Sequence, residues 1–512
     1  YSSVRFPTFT TAVRALSVTN DVRVPGMTEA EGALVNRLLT QLSDKARRNN
    51  LRLAYYDGRR AALQLGAVVP PQYYRMGLVL GWSAKAVDVL ARRCNLDGIV
   101  WPDGDINSLG LAEFNDANAF YAEASSAFVS SLVLGVVFSI TTGGAPGEPK
   151  ALVHFKDALN ATGDWNGRTR RMANLLSVTS RDGDGRPDGL ALYLDGQTVT
   201  SSKQNGRWST AERTFHGYGV PVEALPFRPN VNRPLGRSRI SRTVMSLHDQ
   251  GLRTVIRMEG HLDVYSFPEL WMLGADSSVF KNADGTVKPV WQTMIARIKG
   301  IPDDMRPGVP NHLARADVKQ FPAASPEPHL AALRQQAQLF AGETSLTLES
   351  LGVSNKANPT SAESYIASRE DLIAEAEGAT DDWTPPLRRT VARALAIQNG
   401  ERTVPKSYLT MEPKFRSPVH ISRAAQADAG QKQIAAVPWL AETTVGLQLL
   451  GLSGPSKTVN APCPRAISRW NRNSVLPYIS RGLRKLMPAK SRSRQCRGLP
   501  RRRSGCSCSD CR

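Results

Sequence analysis

Apolar residues at helical spacing open the chain. Ala33, Leu34, Leu38, Leu42 and Ala46 recur every three to four positions behind Thr28 and Glu31, which are spaced as a capping box, so a helix is predicted from about residue 28 to Arg48. A second helix is expected over 83–93, and between the two the paired prolines of VVPPQYYRM impose an extended segment. From Leu132 to about Val231 the period shortens to that of strands. The run LVLGVVFSI from Leu132 is too short for a membrane span and its β-branched residues suit a buried strand. ALVHF, LALYL and QTVTS follow as further strands, separated by Gly, Asp, Asn and Pro clusters.

Helical grammar returns after the breakers Pro226, Pro229, Pro234 and Gly236. Ser238 is the expected cap of a long helix with Ile240, Val244, Leu247, Val255, Leu262 and Tyr265 on or near one face. Arg239, Arg242, Arg253 and Arg257 share the other face, with Gly251 and Gly260 as weak points. Ser325-Pro326-Glu327 caps a helix carrying Leu330, Leu333, Ala337 and Phe340, with Gly342 as its stop. Helices are also expected from Asn358 to about Glu377, from Pro385-Pro386 to Asn399, and from His420 to Leu450 with a break at Pro438. The pattern is α+β: mainly helical, with one β-rich subdomain and an aperiodic C-terminal tail.

Charge changes the picture by its location. The chain carries a formal +20, of which +14 lies in residues 453–512 and +2 in residues 1–26, leaving +4 for residues 27–452. A strongly basic protein reads as a nucleic-acid binder, but here most of that charge sits in the aperiodic tail. Five of the six cysteines lie there too, Cys94 being the exception, so the body suits a reducing compartment. The tail reads as out-of-frame translation and residues 1–26 as an extension preceding a natural start at Met27.

Candidate chemistry is sparse. Ser180–Asp188 (SRDGDGRPD) has alternating carboxylates like a calcium loop, but Ser180 replaces the first acid and Arg186 interrupts the set. A hairpin turn is the preferred reading and a metal site the alternative. Cys506, Cys508 and Cys511 are spaced unlike a zinc finger, and the Arg-rich run 492–503 would bind any polyanion. The seven histidines are scattered, and no GxxxxGK[ST] or GxSxG order occurs. No catalytic residue, cofactor or metal is assigned, and the expectation is a protein that is not an enzyme.

Several segments, in order, resemble the SPP1 gp6-like portal family of actinobacterial phages and prophages. They are LRLAYYDGRRAALQLG from Leu51, VNRPLGRSRISRTVMSLHD from Val231, the WMLGAD turn at Trp271, QFPAASPEPHLAALRQQAQLFAGETSLTLESLGV from Gln320, NPTSAE from Asn358, and AAQADAGQKQ with VPWLAET from Ala424. The resemblance implies a ring, usually of twelve copies, at one capsid vertex, with double-stranded DNA passing through its centre. It further implies docking of terminase, capsid or scaffold protein and the head-tail connector, assembly in the host cytoplasm, and no membrane. Projected on this chain, residues 27–231 would be the wing and 232–353 the stem, clip and tunnel region, with 354–452 supplying the wing-to-crown helices and crown. Arg239, Arg242, Arg253 and Arg257 would then face either a neighbouring subunit or the DNA tunnel. A capsid or tail adaptor protein is the competing reading.

Overall fold

The computed structural model describes residues 22–59, 78–265, 270–273, 286, 298–301, 317–320, 325–353, 369–419 and 430–435. Contacts divide the chain into two units, Tyr1–His420 and Ile421–Arg512. In the second, residues 430–435 are helical. The arginine run, the cysteine cluster and most of the expected 420–450 helix lie outside the described residues, as do residues 354–368.

The first unit begins with helix α1 (Glu29–Tyr56), whose start has the expected reciprocal cap. Thr28 Oγ1 accepts from the Glu31 amide at 3.3 Å and Glu31 Oε2 accepts from the Thr28 amide at 2.8 Å. The helix runs two turns beyond the expected end, because Asn49 and Tyr55 continue its buried face. The segment before it is part of the fold. Val22 exchanges hydrogen bonds with the Asn36 side chain, and the Pro25 carbonyl accepts from the Ala211 amide at 2.7 Å. Residues 22–27 thus form a strap packed against the start of α1 and Ala211.

Helix α2 (Trp82–Ala91) leads to strand β1 (Leu96–Val100), then to α3 (Leu111–Asn118) and α4 (Phe120–Leu134). The run read as one buried strand from Leu132 divides at Gly135: Leu132–Leu134 close α4, and β2 (Val136–Gly143) begins immediately after. Gly135 has φ +102°, and a Cβ there would meet the Arg237 backbone at 3.0 Å. Only glycine makes that turn in so little space.

The β-rich layer follows as β3 (Ala151–Asp157), the short β4 (Ala161–Thr162), β5 (Trp165–Asn166) and β6 (Arg171–Met172), then β7 (Leu175–Arg181), β8 (Pro187–Leu194), β9 (Gln197–Gln204), β10 (Arg207–Trp208), β11 (Glu212–Phe215) and β12 (Val222–Pro226). One antiparallel sheet has the order β12-β2-β3, and a second runs β10-β9-β8-β7-β4 with β11 also on β9. Val35, Leu38, Leu39 and Leu42 of α1 pack on Leu176, Val178, Leu190, Leu192 and Val199 of that second sheet. The exposed side of β3 does not stay open to a further strand: Asn118 donates to the Ala151 carbonyl and accepts from the Val153 amide, at 3.0 and 2.9 Å.

Helix α5 (Arg242–Tyr265) then leaves the layer, and β13 (Leu270–Leu273), β14 (Ile298–Ile301) and β15 (Asp317–Gln320) form a small sheet with β13 in the centre, parallel to β14 and antiparallel to β15. The WMLGAD turn accordingly begins as a strand. Helix α6 (Glu327–Thr344) returns, and α7 (Glu370–Gln398) crosses the main core before β16 (Glu412–Phe415) pairs with β1.

Two expected helices merge in α7. Pro385 and Pro386 lie inside it rather than at a start. Each removes a backbone donor, a cost of about 3 kcal/mol for an interior proline. Tertiary burial offsets it: Leu372, Ala376, Ala379, Trp383, Leu387, Val391 and Leu395 are all buried along one continuous face, and the Trp383 ring stacks on Phe128 with centroids 4.4 Å apart.

Candidate functional site: the α5–α6 hairpin and its buried anchor

Helix α5 spans roughly 36 Å at 1.5 Å per residue. Its cap is Ser241, not Ser238: Ser241 Oγ accepts from the Val244 amide at 3.1 Å. Ser238 instead accepts from the Ile240 amide and donates to the Val133 carbonyl, holding the linker on the end of α4. The buried face comprises Val244, Leu247, His248, Leu252 and Ile256. Val255, placed on that face by the sequence pattern, is only half-buried. Gly251 is no weak point but a fitted contact, because a Cβ there would lie 2.7 Å from the Trp82 ring and 2.9 Å from Leu80.

Helix α6 begins where Ser325 Oγ accepts from the Glu327 amide at 3.2 Å. It passes the expected stop at Gly342 and ends at Ser345, which has φ +52°. The two helices run antiparallel. At one end Ser241 Oγ donates to Glu343 at 3.2 Å, and at the other the His261 and His329 rings meet edge to face at 5.1 Å.

The four arginines expected on one face divide. Arg239 precedes the helix and is buried, its side chain 4% exposed. It donates to the Ala86 carbonyl of α2 and the Thr344 carbonyl of α6, both at 2.7 Å, and pairs with Glu375 of α7. Glu375 also meets Arg228 at 2.8 Å. Burial pushes the Arg239 guanidinium down from its ordinary pKa, and Glu375 opposes the shift. An arginine so enclosed has no surface to offer DNA or a neighbour. Arg242 and Arg257 are exposed and Arg253 is half-buried, so these three remain on the outer side of α5.

Further contacts fix the same end. His248 Nδ1 lies 2.9 Å from Ser83 Oγ, and Tyr55 Oη donates to Asp249 at 2.8 Å. Burial lowers the His248 pKa, and the neighbouring Asp249 opposes the shift. Trp82 packs on Phe340 with centroids 5.3 Å apart. One end of the helical hairpin is thus held by α1, α2 and α7.

The Ser180–Asp188 segment is the turn of the β7–β8 hairpin: Asp182 Oδ1 accepts from the Asp184 and Arg186 amides at 3.0 and 2.7 Å. Among the described residues no group of three His, Cys, Asp or Glu is placed to hold a metal, and no helix is long and apolar enough to cross a membrane. Cys94 is buried, and desolvation pushes its thiol up to about 12. The anchor was invisible to sequence reasoning, since no spacing rule joins Arg239 to a carboxylate on a distant helix.

The family model described as phage portal protein, SPP1 Gp6-like, matches residues 36–438. The portal protein of Mycobacterium phage L5 is 24% identical over 418 residues, covering 80% of this chain and 84% of the relative. That of Mycobacterium phage D29 is 24% identical over 421 residues with the same coverage. Solved structures with similarity include a chain of the virion of a native gene transfer agent particle, 14% identical with a TM-score of 0.39, covering 79% of this chain and 94% of that one. Another is from the neck of the native particle computed with C12 symmetry, 15% identical with a TM-score of 0.38, covering 78% and 99%.

Proposed function

The chain belongs to the SPP1 Gp6-like family of phage portal proteins, and from that premise we propose that it is a subunit of a closed ring at one capsid vertex, through which double-stranded DNA is packaged and ejected. The observation that supports a channel element is the α5–α6 hairpin: two antiparallel helices anchored by buried contacts at one end and followed by the small β13–β15 sheet at the other. In this reading α5 and α6 are the stem, the segment around β13–β15 the clip, and α1–α4 with the β-rich layer the wing. Arg242, Arg253 and Arg257 face a neighbouring subunit or the tunnel.

The nearly balanced body charge suits such a conduit, because phosphates that must slide are slowed by a strongly cationic wall. The ring acts as a passive passage and as a docking platform for terminase, capsid or scaffold protein and the head-tail connector. It resides in the virion and assembles in the host cytoplasm. Electron microscopy of the purified full chain tests this: closed rings, expected to have twelve copies, with a central channel support it, whereas monomers at every concentration refute it.

A further inference from the structure

The β5–β6 hairpin is short, solvated and unusually basic. Trp165 pairs with Met172 and Asn166 with Arg171, leaving Gly167, Arg168, Thr169 and Arg170 as the turn. The turn is held from within: Asn166 Oδ1 accepts from the Arg168 and Thr169 amides at 3.0 and 3.2 Å, and the Arg170 amide donates to the Asn166 carbonyl at 2.8 Å. Arg168, Arg170 and Arg171 are all exposed, and none makes an ion pair with a described residue. Arg170 holds φ +53°, the left-handed region that glycine or asparagine would occupy more cheaply.

No carboxylate lies between Trp165 and Asn174 in the sequence. The nearest, Asp164 at the hairpin base, is already engaged by Arg37 of α1 at 2.5 Å and by Asn174 at 2.8 Å. Asp164 also ties the hairpin to a second row of cations. Lys45, two turns further along α1, lines one depression with Arg37 and Asp44, and Arg48 follows it on the helix. Arg48 and Arg233 are exposed and make no ion pair among the described residues. A body that carries only +4 over residues 27–452 thus concentrates cations on one part of its β-rich layer.

We propose that this hairpin, together with Lys45 and Arg48 of α1, grips the phosphate backbone of duplex DNA, at a surface separate in the fold from the α5–α6 hairpin. This rests on the portal reading, which brings the chain beside DNA, and adds a second contact to it. Phosphates are favoured over an acidic protein surface because the turn presents only arginine, threonine and glycine. Protein interfaces centre on apolar and aromatic anchors, and the local aromatic, Trp165, packs instead into the core beside Met172. Guanidinium groups on a preformed turn offer paired donors to phosphate oxygens.

The test uses the full chain and a 30-base-pair duplex, comparing wild type with the Arg168→Gln, Arg170→Gln, Arg171→Gln triple variant and with the corresponding triple Lys variant. The readout is the slope of log affinity against log salt, which changes by about 0.9 per phosphate neutralised. The basic tail is the same in all three proteins and cancels. The Gln variant is expected to flatten the slope by roughly 2–3 and the Lys variant to keep it. An unchanged slope in the Gln variant overturns the proposal. So does an unchanged DNA slope accompanied by loss of binding to polyglutamate, which assigns the hairpin to an acidic protein. Micrographs of the same samples separate the two readings: absence of rings in wild type refutes the portal assignment, whereas intact rings with an unchanged slope refute only the role of the hairpin.

Discussion

Replacing Arg239 with methionine is the sharpest perturbation of the hairpin anchor. The substitution keeps much of the side-chain volume and removes the charge, leaving Glu375, itself 5% exposed, beside Arg228 alone. Breaking one partner out of a buried pair costs about 3–5 kcal/mol, because the survivor stays desolvated. Arg228 is 56% exposed and compensates only in part. The Thr344 carbonyl at the end of α6 also loses its donor, whereas the Ala86 carbonyl lies within α2 and suffers less. A loss of about 3 kcal/mol is therefore expected for Arg239→Met. Glu375→Leu alone should cost a similar amount, since it strands the guanidinium, and the double variant should cost less than the sum by about 2 kcal/mol. Urea unfolding of the full chain at fixed protein concentration, followed by tryptophan fluorescence, measures all three because Trp82 and Trp383 are buried near this junction. If Arg239→Met is within about 1 kcal/mol of wild type and the cycle shows no coupling, Arg239 does not anchor α5 and the argument from burial fails.

Other consequences are equally measurable. Glu31, held by Arg213 at 2.6 Å and by the Thr28 cap, has its carboxyl lowered to about 2. The folded pKa lies below the unfolded one, so its contribution is present above about pH 4.5 and is lost as pH falls towards 2; the stability gap between wild type and Glu31→Gln should close over that window in pH-dependent unfolding. Asp382 is shifted the other way, to about 6, chiefly by burial. Here the folded state disfavours the charged form, so Asp382→Asn should stabilise by about 1 kcal/mol at pH 7 after allowance for solvent screening, and the gain should vanish below about pH 4 in the same assay. Gly251→Ala should destabilise by about 1–3 kcal/mol in thermal or urea unfolding despite alanine's better helix propensity, because the methyl group collides with Trp82. Deleting residues 453–512 should leave the helical signal and melting of the body intact while cutting low-salt affinity for DNA and flattening its salt slope, because that segment carries +14.

What the sequence disclosed follows the range of the interactions. The capping box at Thr28 and Glu31, the β7–β8 turn and the Ser325 start of α6 all depend on residues within a few positions of one another, and all were legible. The errors arise where distant contacts decide. Ser238 has the chemistry of a cap, yet the Val133 carbonyl claims its hydroxyl and Ser241 takes the role. Leu132–Ile140 is apolar on both sides of Gly135 up to Ser139, so nothing local marks the change from helix to strand except Gly135, which holds a positive φ and leaves room for the Arg237 backbone. Pro385-Pro386 reads as a helix start by local rules, and only the stack of Trp383 on Phe128 with the flanking buried face explains why the helix continues through it.

The same distinction governs the arginines, and it shows why charge counted along a chain is a poor guide to charge available at a surface. Helical spacing grouped Arg239 with Arg242, Arg253 and Arg257, but Arg239 lies before the helix begins, where the chain passes between α2, α6 and α7. Glu223 of β12 repeats the pattern: it binds Arg389 and Arg393 of α7 at 2.9 and 2.8 Å, so those two cations fasten α7 to the β12-β2-β3 sheet rather than serving a partner. Among the described residues, Arg168, Arg170 and Arg171 have no such carboxylate within ion-pairing distance. Paired cations of this kind build the fold, and those with no carboxylate partner among the described residues are the ones open to phosphate. The salt slope of the hairpin variants therefore tests more than one turn. It asks whether cations left without an internal partner are the ones this fold presents to phosphate.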